Sequence, residues 1–283
     1  MLMYPLAVGQ TVTRVFEAGR RDAPPLVLVH GLTSRADRWR QNLEPLAAAG
    51  YRVFALDLPG HGFATKSASG DHSIAGYRDF ILAFLDKLEA PQAVLVGTSL
   101  GGHIVAAAAC HRPQRVSALV MIGSLGLQPV TAERVEKIRT GLADMSVEAM
   151  RRRLLTVFSD PRFVTDELVR EDVLVNTSPG AAECLNRFCG YMAERFNRDL
   201  VLDGLAALGK GLPLLLVWGE EDQSVPVAVG RAARERLVDA KLVTFARTNH
   251  TPYMERPELF NRVLTDFLGG RLGSFAAPEL TYL

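Results

Sequence analysis

The stretch Gly97-Thr98-Ser99-Leu100-Gly101-Gly102 directly follows the apolar run Ala93–Val96 and leads into the helix-like segment His103–Ala109. A buried strand, the pattern Gly-x-Ser-x-Gly and a helix, in this order, are the layout of a nucleophile elbow, a tight strand-to-helix turn that exposes a serine at the edge of a sheet. A Cβ at Gly97 or Gly101 would collide with the neighbouring strand or helix, so glycine makes the turn possible. The free N–H groups of the helix N-terminus favour an anion at this point. The sequence therefore predicts that Ser99 is a nucleophile, provided that a base and an acid lie nearby.

A second apolar run, Leu26–Val29, ends in the loop His30-Gly31-Leu32-Thr33. Continuous hydrophobicity over this length is typical of a strand buried on both faces of a parallel sheet. We expect the loop to approach the nucleophile, so that the backbone N–H groups of Leu32 and Leu100 form an oxyanion hole. His30 is interpreted as a structural histidine of the turn, because the predicted role of this loop is filled by backbone N–H groups and not by the imidazole.

A third apolar run, Leu214–Trp218, is followed by an acidic turn that contains Glu220, Glu221 and Asp222. Asp222 is predicted to be the catalytic acid because it lies at the tip of the turn. Glu220 and Glu221 are interpreted as solvated loop charges.

A fourth apolar run, Leu242–Phe245, precedes a loop that contains His250. The chain order Ser99, Asp222, His250 is the order serine, acid, histidine that accompanies this kind of strand-to-helix serine. His250 is therefore predicted to be the general base. The other histidines are interpreted as surface or buried structural residues: His61, His72, His103 and His111.

These motifs make the chain similar to the α/β-hydrolase fold family from about Val12 to Leu268. The segment Asp57–Gly62 resembles the family's D-x-P-G-x-G turn, Trp39 falls where many members have an aromatic residue, and Asn249–Pro257 resembles the closing G-H-x-x-x-x-E-x-P stretch. Asn249 replaces the usual glycine, and asparagine also tolerates left-handed backbone. The resemblance implies a serine hydrolase that needs no metal and no cofactor.

Alternating apolar and helical segments predict an α/β fold with a mostly parallel central sheet and helices on both faces. The predicted strands are Thr11–Glu17, Leu26–His30, Arg52–Leu56, Ala93–Val96, Ala118–Ile122, Leu214–Trp218 and Lys241–Phe245. Between residues 130 and 208 the pattern is helical only, with predicted helices Ala132–Leu142, Val147–Val157, Thr165–Val175 and Ala181–Phe196. We interpret residues 130–208 as an inserted helical cap, and residues 1–129 and 209–283 as the two parts of the hydrolase core. The tail Gly269–Leu283 is left unassigned.

Composition and charge bear on the binding partners and the cellular location of the protein. The net charge of +1 does not suggest a nucleic-acid or membrane-surface partner. The start lacks the basic and apolar segments of a signal peptide, and no apolar run approaches the length of a membrane span. An odd count of three cysteines without metal-ligand spacing is typical of reduced thiols. We therefore expect a cytoplasmic protein that acts on a small molecule, and the sequence does not predict its oligomeric state.

The substrate is less well determined. The cap stretch Asp160–Leu168, followed by Ser178-Pro179-Gly180, resembles the cap of the meta-cleavage-product hydrolases, which split a carbon–carbon bond in ring-opened dienoates. The residues that usually mark those enzymes differ here. Thr98 stands in place of asparagine, Thr251 in place of tryptophan, and no arginine lies near residues 180–182, where their cap arginine is expected. Arg187 and Arg195 are the nearest substitutes, although each reads as an exposed helix charge.

The predicted substrate is therefore a carboxylic ester or similar acyl compound, with carbon–carbon hydrolysis of a dienoate as the alternative. Predicted substrate contacts come from Thr33, Thr98, Thr251 and Tyr253. Because these neighbours are apolar or small and uncharged, we expect kcat/KM for a neutral ester to exceed that for an anionic dienoate by at least about tenfold. A ligand-binding receptor or a cofactor-free oxygenase on the same fold is a further alternative.

Overall fold

One nine-stranded sheet carries the site residues. The structure is a computed structural model that describes residues 1–283. The strand order is β1-β2-β4-β3-β5-β6-β7-β8-β9; strands β3 to β8 are parallel, and the pairs β1–β2, β2–β4 and β8–β9 are antiparallel. The strands are β1 (Leu2–Val8), β2 (Thr11–Ala18), β3 (Pro25–Val29), β4 (Arg52–Leu56), β5 (Ala93–Thr98), β6 (Val116–Ile122), β7 (Leu214–Gly219), β8 (Lys241–Phe245) and β9 (Leu280–Tyr282).

Helices cover the sheet and fill the long connection between β6 and β7. They are α1 (Arg40–Ala48), α2 (Ile74–Lys87), α3 (Leu100–His111), α4 (Ala132–Ala143), α5 (Val147–Leu155), α6 (Asp166–Asn176), α7 (Ala181–Glu194), α8 (Leu202–Leu208), α9 (Val227–Arg236), α10 (Pro252–Glu255) and α11 (Pro257–Leu268). None of them combines the length and the hydrophobicity that crossing a bilayer requires.

The continuous apolar runs are explained by burial on both faces of the sheet. In β3, Val27 and Val29 belong to one hydrophobic cluster while Leu26 and Leu28 belong to the other. All four side chains are fully buried. Successive residues of a strand point to opposite faces, so a strand between two helical layers needs apolar residues at every position.

The predicted fold class is confirmed. All seven predicted strands are present, each end lying within two residues of its predicted position. The strands β1 and β9 were not predicted. β1 contains Pro5 and alternates between exposed and half-buried positions at the edge of the sheet, so it lacks the pattern of a central strand. β9 has only three residues in the tail.

The four helices predicted between residues 130 and 208 correspond to α4–α7. Met150, Leu154, Phe158, Val164 and Val169 form a small separate core within this segment. Side chains from α7, such as Phe188 and Met192, join the large core instead. The helical segment is therefore partly self-contained and partly anchored to the sheet layers.

Candidate active site

Ser99 lies at the turn between β5 and α3 with φ 55° and ψ −117°. This is a left-handed conformation that non-glycine residues rarely adopt. Three backbone hydrogen bonds hold it. The Ser99 N–H donates to the carbonyl of Ile122 (2.8 Å), and the N–H groups of Leu125 (3.1 Å) and His103 (3.3 Å) donate to the carbonyl of Ser99. The strained backbone is therefore fixed by its neighbours, as in an elbow that presents a side chain.

The flanking glycines are required by close backbone contacts. A Cβ on Gly97 would collide with the carbonyl of Gly101, and a Cβ on Gly101 would collide with the carbonyls of Val29 and His30. The strand, the turn and the loop after β3 are thus packed backbone against backbone, which brings the His30–Thr33 loop beside Ser99.

His250 and Asp222 form a buried hydrogen-bonded pair. His250 Nδ1 lies 2.7 Å from Asp222 Oδ2. The other oxygen of Asp222 accepts hydrogen bonds from the backbone N–H groups of Ser224 and Val225, both at 2.8 Å. Because both oxygens of Asp222 are engaged, the carboxylate is fixed in orientation and holds the imidazole with Nδ1 towards it.

The two competing acids face elsewhere. Glu220 forms an ion pair with Arg231 at 2.7 Å, and Glu221 is exposed. Of the three carboxylates in this turn, the structure brings Asp222 to His250.

Gly123, which directly follows β6, was missed by sequence reasoning. Its φ is +47°, and a Cβ at this position would lie 2.8 Å from both Asp222 Oδ2 and His250 Nδ1. Gly123 thus leaves the space in which the acid and the histidine meet. A single glycine after a strand is too common to have signalled this role.

Ser99 and His250 line one cavity of about 780 Å³. The hydroxyl of Ser99 makes no hydrogen bond in the structure, so its side chain is free to turn towards the imidazole. Such contacts are often loose in the absence of substrate. The predicted contact residues also line this cavity: Thr33, Thr98, Thr251 and Tyr253.

The two predicted oxyanion donors flank Ser99. Leu32 lines the cavity, and its N–H makes no hydrogen bond within the protein. Leu100 is the first residue of α3, and the first N–H groups of a helix have no partner inside it. Neither amide is engaged within the protein, as an oxyanion donor requires.

The cavity is more cationic than the sequence motifs suggested. Five cationic side chains line it, against two acidic ones. The cationic set is Arg38, Arg134, Lys137, Arg152 and Arg153, and the acidic set is Asp144 and Asp172. The expectation of an uncharged pocket is therefore wrong beyond the immediate surroundings of Ser99. Arg187 and Arg195 do not line the cavity, and Arg187 is half exposed.

The loop that carries His250 is tied to the helical segment by Glu255. One oxygen of Glu255 accepts from the Asn249 N–H at 3.0 Å and from Thr251 Oγ1 at 3.3 Å. The other oxygen accepts from the N–H (2.7 Å) and the hydroxyl of Ser159, which follows α5. The Glu in the closing motif is thus a buried brace between the two layers of the site.

Burial lowers the pKa of three other histidines. The pKa is about 4 for His30, about 3 for His61 and about 4 for His103. His30 Nε2 accepts from the Leu58 N–H at 3.0 Å while Nδ1 lies 2.7 Å from the carbonyl of Gly31. These are the contacts of a structural turn residue.

The arrangement of a strained serine, a histidine and a buried aspartate on a parallel sheet is that of an α/β hydrolase. The family model for the alpha/beta hydrolase fold matches residues 24–257. The chain belongs to this family.

Two curated relatives show which activities occur nearby in the family. A 2-hydroxy-6-oxononadienedioate/2-hydroxy-6-oxononatrienedioate hydrolase from Cupriavidus pinatubonensis is 31% identical, with 87% of each chain covered. The dihydrolipoyllysine-residue acetyltransferase component of the acetoin cleaving system from Pseudomonas putida is 33% identical over 92% of this chain. The chain spans about two thirds of such acetyltransferase components, 68% of this one and 64% of a second.

A solved structure gives the same picture. The meta-cleavage product hydrolase of Pseudomonas fluorescens IP01 superimposes with a TM-score of 0.82 at 27% identity, covering 94% of this chain and 97% of that one.

Proposed function

We propose that the chain is a serine hydrolase that cleaves small acyl compounds with Ser99 as nucleophile, His250 as general base and Asp222 as the orienting acid. The proposal rests on one observation: the strained serine shares a cavity with a histidine whose Nδ1 is held 2.7 Å from a buried carboxylate. The N–H groups of Leu32 and Leu100 are the proposed oxyanion donors. Residues 130–208 are the proposed cap, because α4 and α5 supply much of the cavity wall.

The proposed reaction follows from these positions. Ser99 Oγ attacks the substrate carbonyl carbon, and its proton passes to His250 Nε2. The two backbone N–H groups stabilise the negative oxygen of the tetrahedral intermediate. The intermediate expels its leaving group, which takes the proton from His250. Water then attacks the acyl-enzyme with His250 again as base, and the acid product is released.

A carboxylic ester is the substrate class that this chemistry supports most directly. Thr33, Thr98, Thr251 and Tyr253 are the proposed contacts around the acyl group, since all four line the cavity beside Ser99. A cytoplasmic location remains a prediction from the sequence.

Carbon–carbon hydrolysis of a dienoate is the second candidate, and two observations favour it. The relative from Cupriavidus pinatubonensis bears the name of such a hydrolase. The cavity wall also carries an excess of cationic side chains, which suits a substrate with a carboxylate. Thr98 and Thr251 argue in the opposite direction, because they replace the asparagine and tryptophan that mark those enzymes.

The direct test is Ser99→Ala. We expect hydrolysis to fall by several orders of magnitude with an unchanged circular dichroism spectrum, because the covalent nucleophile is lost. A serine-directed phosphonate should label the wild type at Ser99 and leave the variant unlabelled. Label on another residue, or full activity in the variant, would overturn the proposal.

A parallel assay separates the two substrate classes. A 4-nitrophenyl ester series and 2-hydroxy-6-oxo-6-phenylhexa-2,4-dienoate are compared by kcat/KM with the same preparation. Steady turnover of esters with little turnover of the dienoate supports the ester assignment, and the reverse ratio supports carbon–carbon hydrolysis. A single burst without turnover would instead indicate a receptor.

A further inference from the structure

Arg38 is a buried guanidinium whose hydrogen bonds are incompletely satisfied within the protein. Its side chain is 7% exposed and lies on the loop after β3. Only Nη2 is bonded, to both oxygens of Asp172 at 2.5 and 2.6 Å. Nε and Nη1 make no hydrogen bond within the protein, and neither nitrogen is sealed from solvent. Because Arg38 lines the cavity of Ser99, these two donors are left for a ligand there.

The neighbouring Arg35 shows what a purely structural arginine looks like in this cluster. All its guanidinium nitrogens are bonded, to Asp37, Asp172 and Glu171. Arg35 does not line the cavity. Arg38 has Asp172 as its only ion-pair partner and shares that carboxylate with Arg35, so its positive charge is compensated less than that of Arg35.

Two hydroxyls without hydrogen bonds share the cavity wall with Arg38. Thr98 Oγ1 is buried and has no hydrogen-bond partner, and the Tyr253 hydroxyl makes no hydrogen bond. Arg38, Thr98 and Tyr253 all line the cavity that contains Ser99. Burial raises the pKa of Tyr253, and the charge of Arg38 acts in the opposite direction. Tyr253 is held in place by stacking on Trp39, with ring centroids 3.9 Å apart.

We propose that Arg38, assisted by the hydroxyls of Tyr253 and Thr98, binds a carboxylate of the substrate and selects anionic acyl compounds over neutral ones. The inference rests on the proposed hydrolase function and deepens it. An unpaired charge in a partly dry cavity is costly, and a buried guanidinium with free N–H groups on Nε and Nη1 can donate charge-assisted hydrogen bonds to a carboxylate. Asp172, on α6, holds the third nitrogen, Nη2, and so fixes the orientation of the guanidinium.

The test compares esters that differ only in this charge. The mono-4-nitrophenyl esters of adipate and pimelate are matched with the 4-nitrophenyl esters of hexanoate and heptanoate, in which a methyl group replaces the carboxylate. We expect Arg38→Met to lower kcat/KM for the anionic esters at least tenfold, mostly through KM, and to change the neutral esters by less than threefold. Equal losses on both kinds of ester would show that Arg38 is only a brace for the cap, and would overturn the proposal.

Two further variants keep the result interpretable. Arg35→Met removes a partner of Asp172 without touching the cavity wall, so it should change anionic and neutral esters alike. Arg38→Lys keeps a charge beside Asp172 if Arg38→Met fails to fold. We expect Arg38→Lys to lower kcat/KM at least threefold for the anionic esters alone, because a single ammonium cannot replace the several N–H donors of a guanidinium.

Failure of this inference can be told from failure of the proposed function. If Ser99 is labelled and hydrolyses both kinds of ester with no dependence on Arg38, only the carboxylate site is wrong. If no ester or dienoate is turned over and Ser99 is not labelled, the hydrolase function fails and the inference fails with it.

Discussion

The residue that does the proposed chemistry, Ser99, is one of four non-glycine residues with a positive φ. A non-glycine residue held in a sparsely populated backbone region costs about 1–3 kcal/mol, and it persists only where its surroundings enforce it. At Ser99 the enforcement comes from the backbone contacts of Gly97 and Gly101 and from the bonds to Ile122 and Leu125. The spacing of small residues around Ser99 is therefore a consequence of backbone packing, which is why the motif is visible in the sequence.

Asp222→Asn tests the orienting acid. We expect kcat to fall by roughly 10²–10⁴, because an amide in place of the carboxylate favours the wrong imidazole tautomer. Glu220→Gln and Glu221→Gln serve as matched controls in the same turn and should change the rate little. If Glu221→Gln lowered kcat strongly and Asp222→Asn did not, the orienting acid would be Glu221 instead.

Gly123→Ala tests whether the glycine makes room for the acid and the histidine. The added methyl would lie 2.8 Å from Asp222 Oδ2 and from His250 Nδ1, on a residue with φ +47°. We expect at least about a tenfold loss of kcat, equivalent to about 1.4 kcal/mol, and reduced stability.

The control for Gly123→Ala is Gly190→Ala in α7. No atom lies within 4 Å of the added Cβ there, so activity should not change. Stability should rise by roughly 0.5–1 kcal/mol, because alanine is the better helix former. Activity of the Gly123 variant equal to that of the Gly190 variant would contradict the role of Gly123. Thermal unfolding and kcat measured on both proteins decide the point.

At the scale of elements, Glu255, the last residue of α10, couples the loop that carries His250 to the helical segment between β6 and β7. Its two oxygens accept from Asn249 and Thr251 on one side and from Ser159 on the other. The His250 N–H also donates to the carbonyl of Val157 at 3.2 Å. The position of the proposed base therefore depends on the chain segment that follows α5.

Glu255→Gln should loosen this junction. The amide nitrogen of glutamine must face N–H donors that the carboxylate accepted from, and an unsatisfied buried donor costs about 1–3 kcal/mol. We expect lower stability, lower kcat and faster hydrogen exchange at the amides of Ser159 and His250. The exposed Glu258→Gln on α11 is the control, and unchanged exchange in the Glu255 variant would refute the brace.

Strands could be predicted from the sequence where burial requires a recognisable pattern of apolar residues. The strands β3, β5 and β7 are apolar at successive positions because both faces are covered. β1 and β9 lie at the edges of the sheet, where partial exposure permits mixed residues, and no pattern marks them. The proposed serine, acid and histidine can be singled out from their order along the chain, and the structure places His250 against Asp222. Arg38 and Gly123 were not, because their roles depend on neighbours from distant elements.

At the scale of the whole molecule, net charge hides the distribution of charge. The chain carries 32 Lys and Arg against 31 Asp and Glu, a balance that suggests no particular partner. Yet five cationic side chains and two acidic ones line the cavity. Composition could not show this imbalance, since it arises from where helices α4 and α5 and the loop after β3 come together.

Three buried histidines with a lowered pKa make the stability of the molecule depend on pH. Burial lowers the pKa of His30, His61 and His103 to about 4, 3 and 4, whereas the unfolded chain has the ordinary value near 6.5. Below pH 6.5 the unfolded state therefore binds protons that the folded state does not, so the free energy of unfolding decreases as the pH falls. The loss is about 1.4 kcal/mol per histidine at one pH unit below 6.5, and it continues until the folded pKa is reached.

We therefore expect stability to be full above about pH 7 and to fall steeply between pH 6.5 and 5. Urea unfolding at pH 7.5, 6.5 and 5.5 measures the slope. His61→Gln should reduce that slope by about one third, because one of three proton-linked groups is removed, whatever it does to stability at pH 7.5. His111→Gln is the matched control, because His111 is exposed at the end of α3 and should leave the slope unchanged. A flat profile down to pH 5.5 would mean that these histidines are not held neutral by burial, and that their contacts with backbone carbonyls stabilise the protonated ring instead.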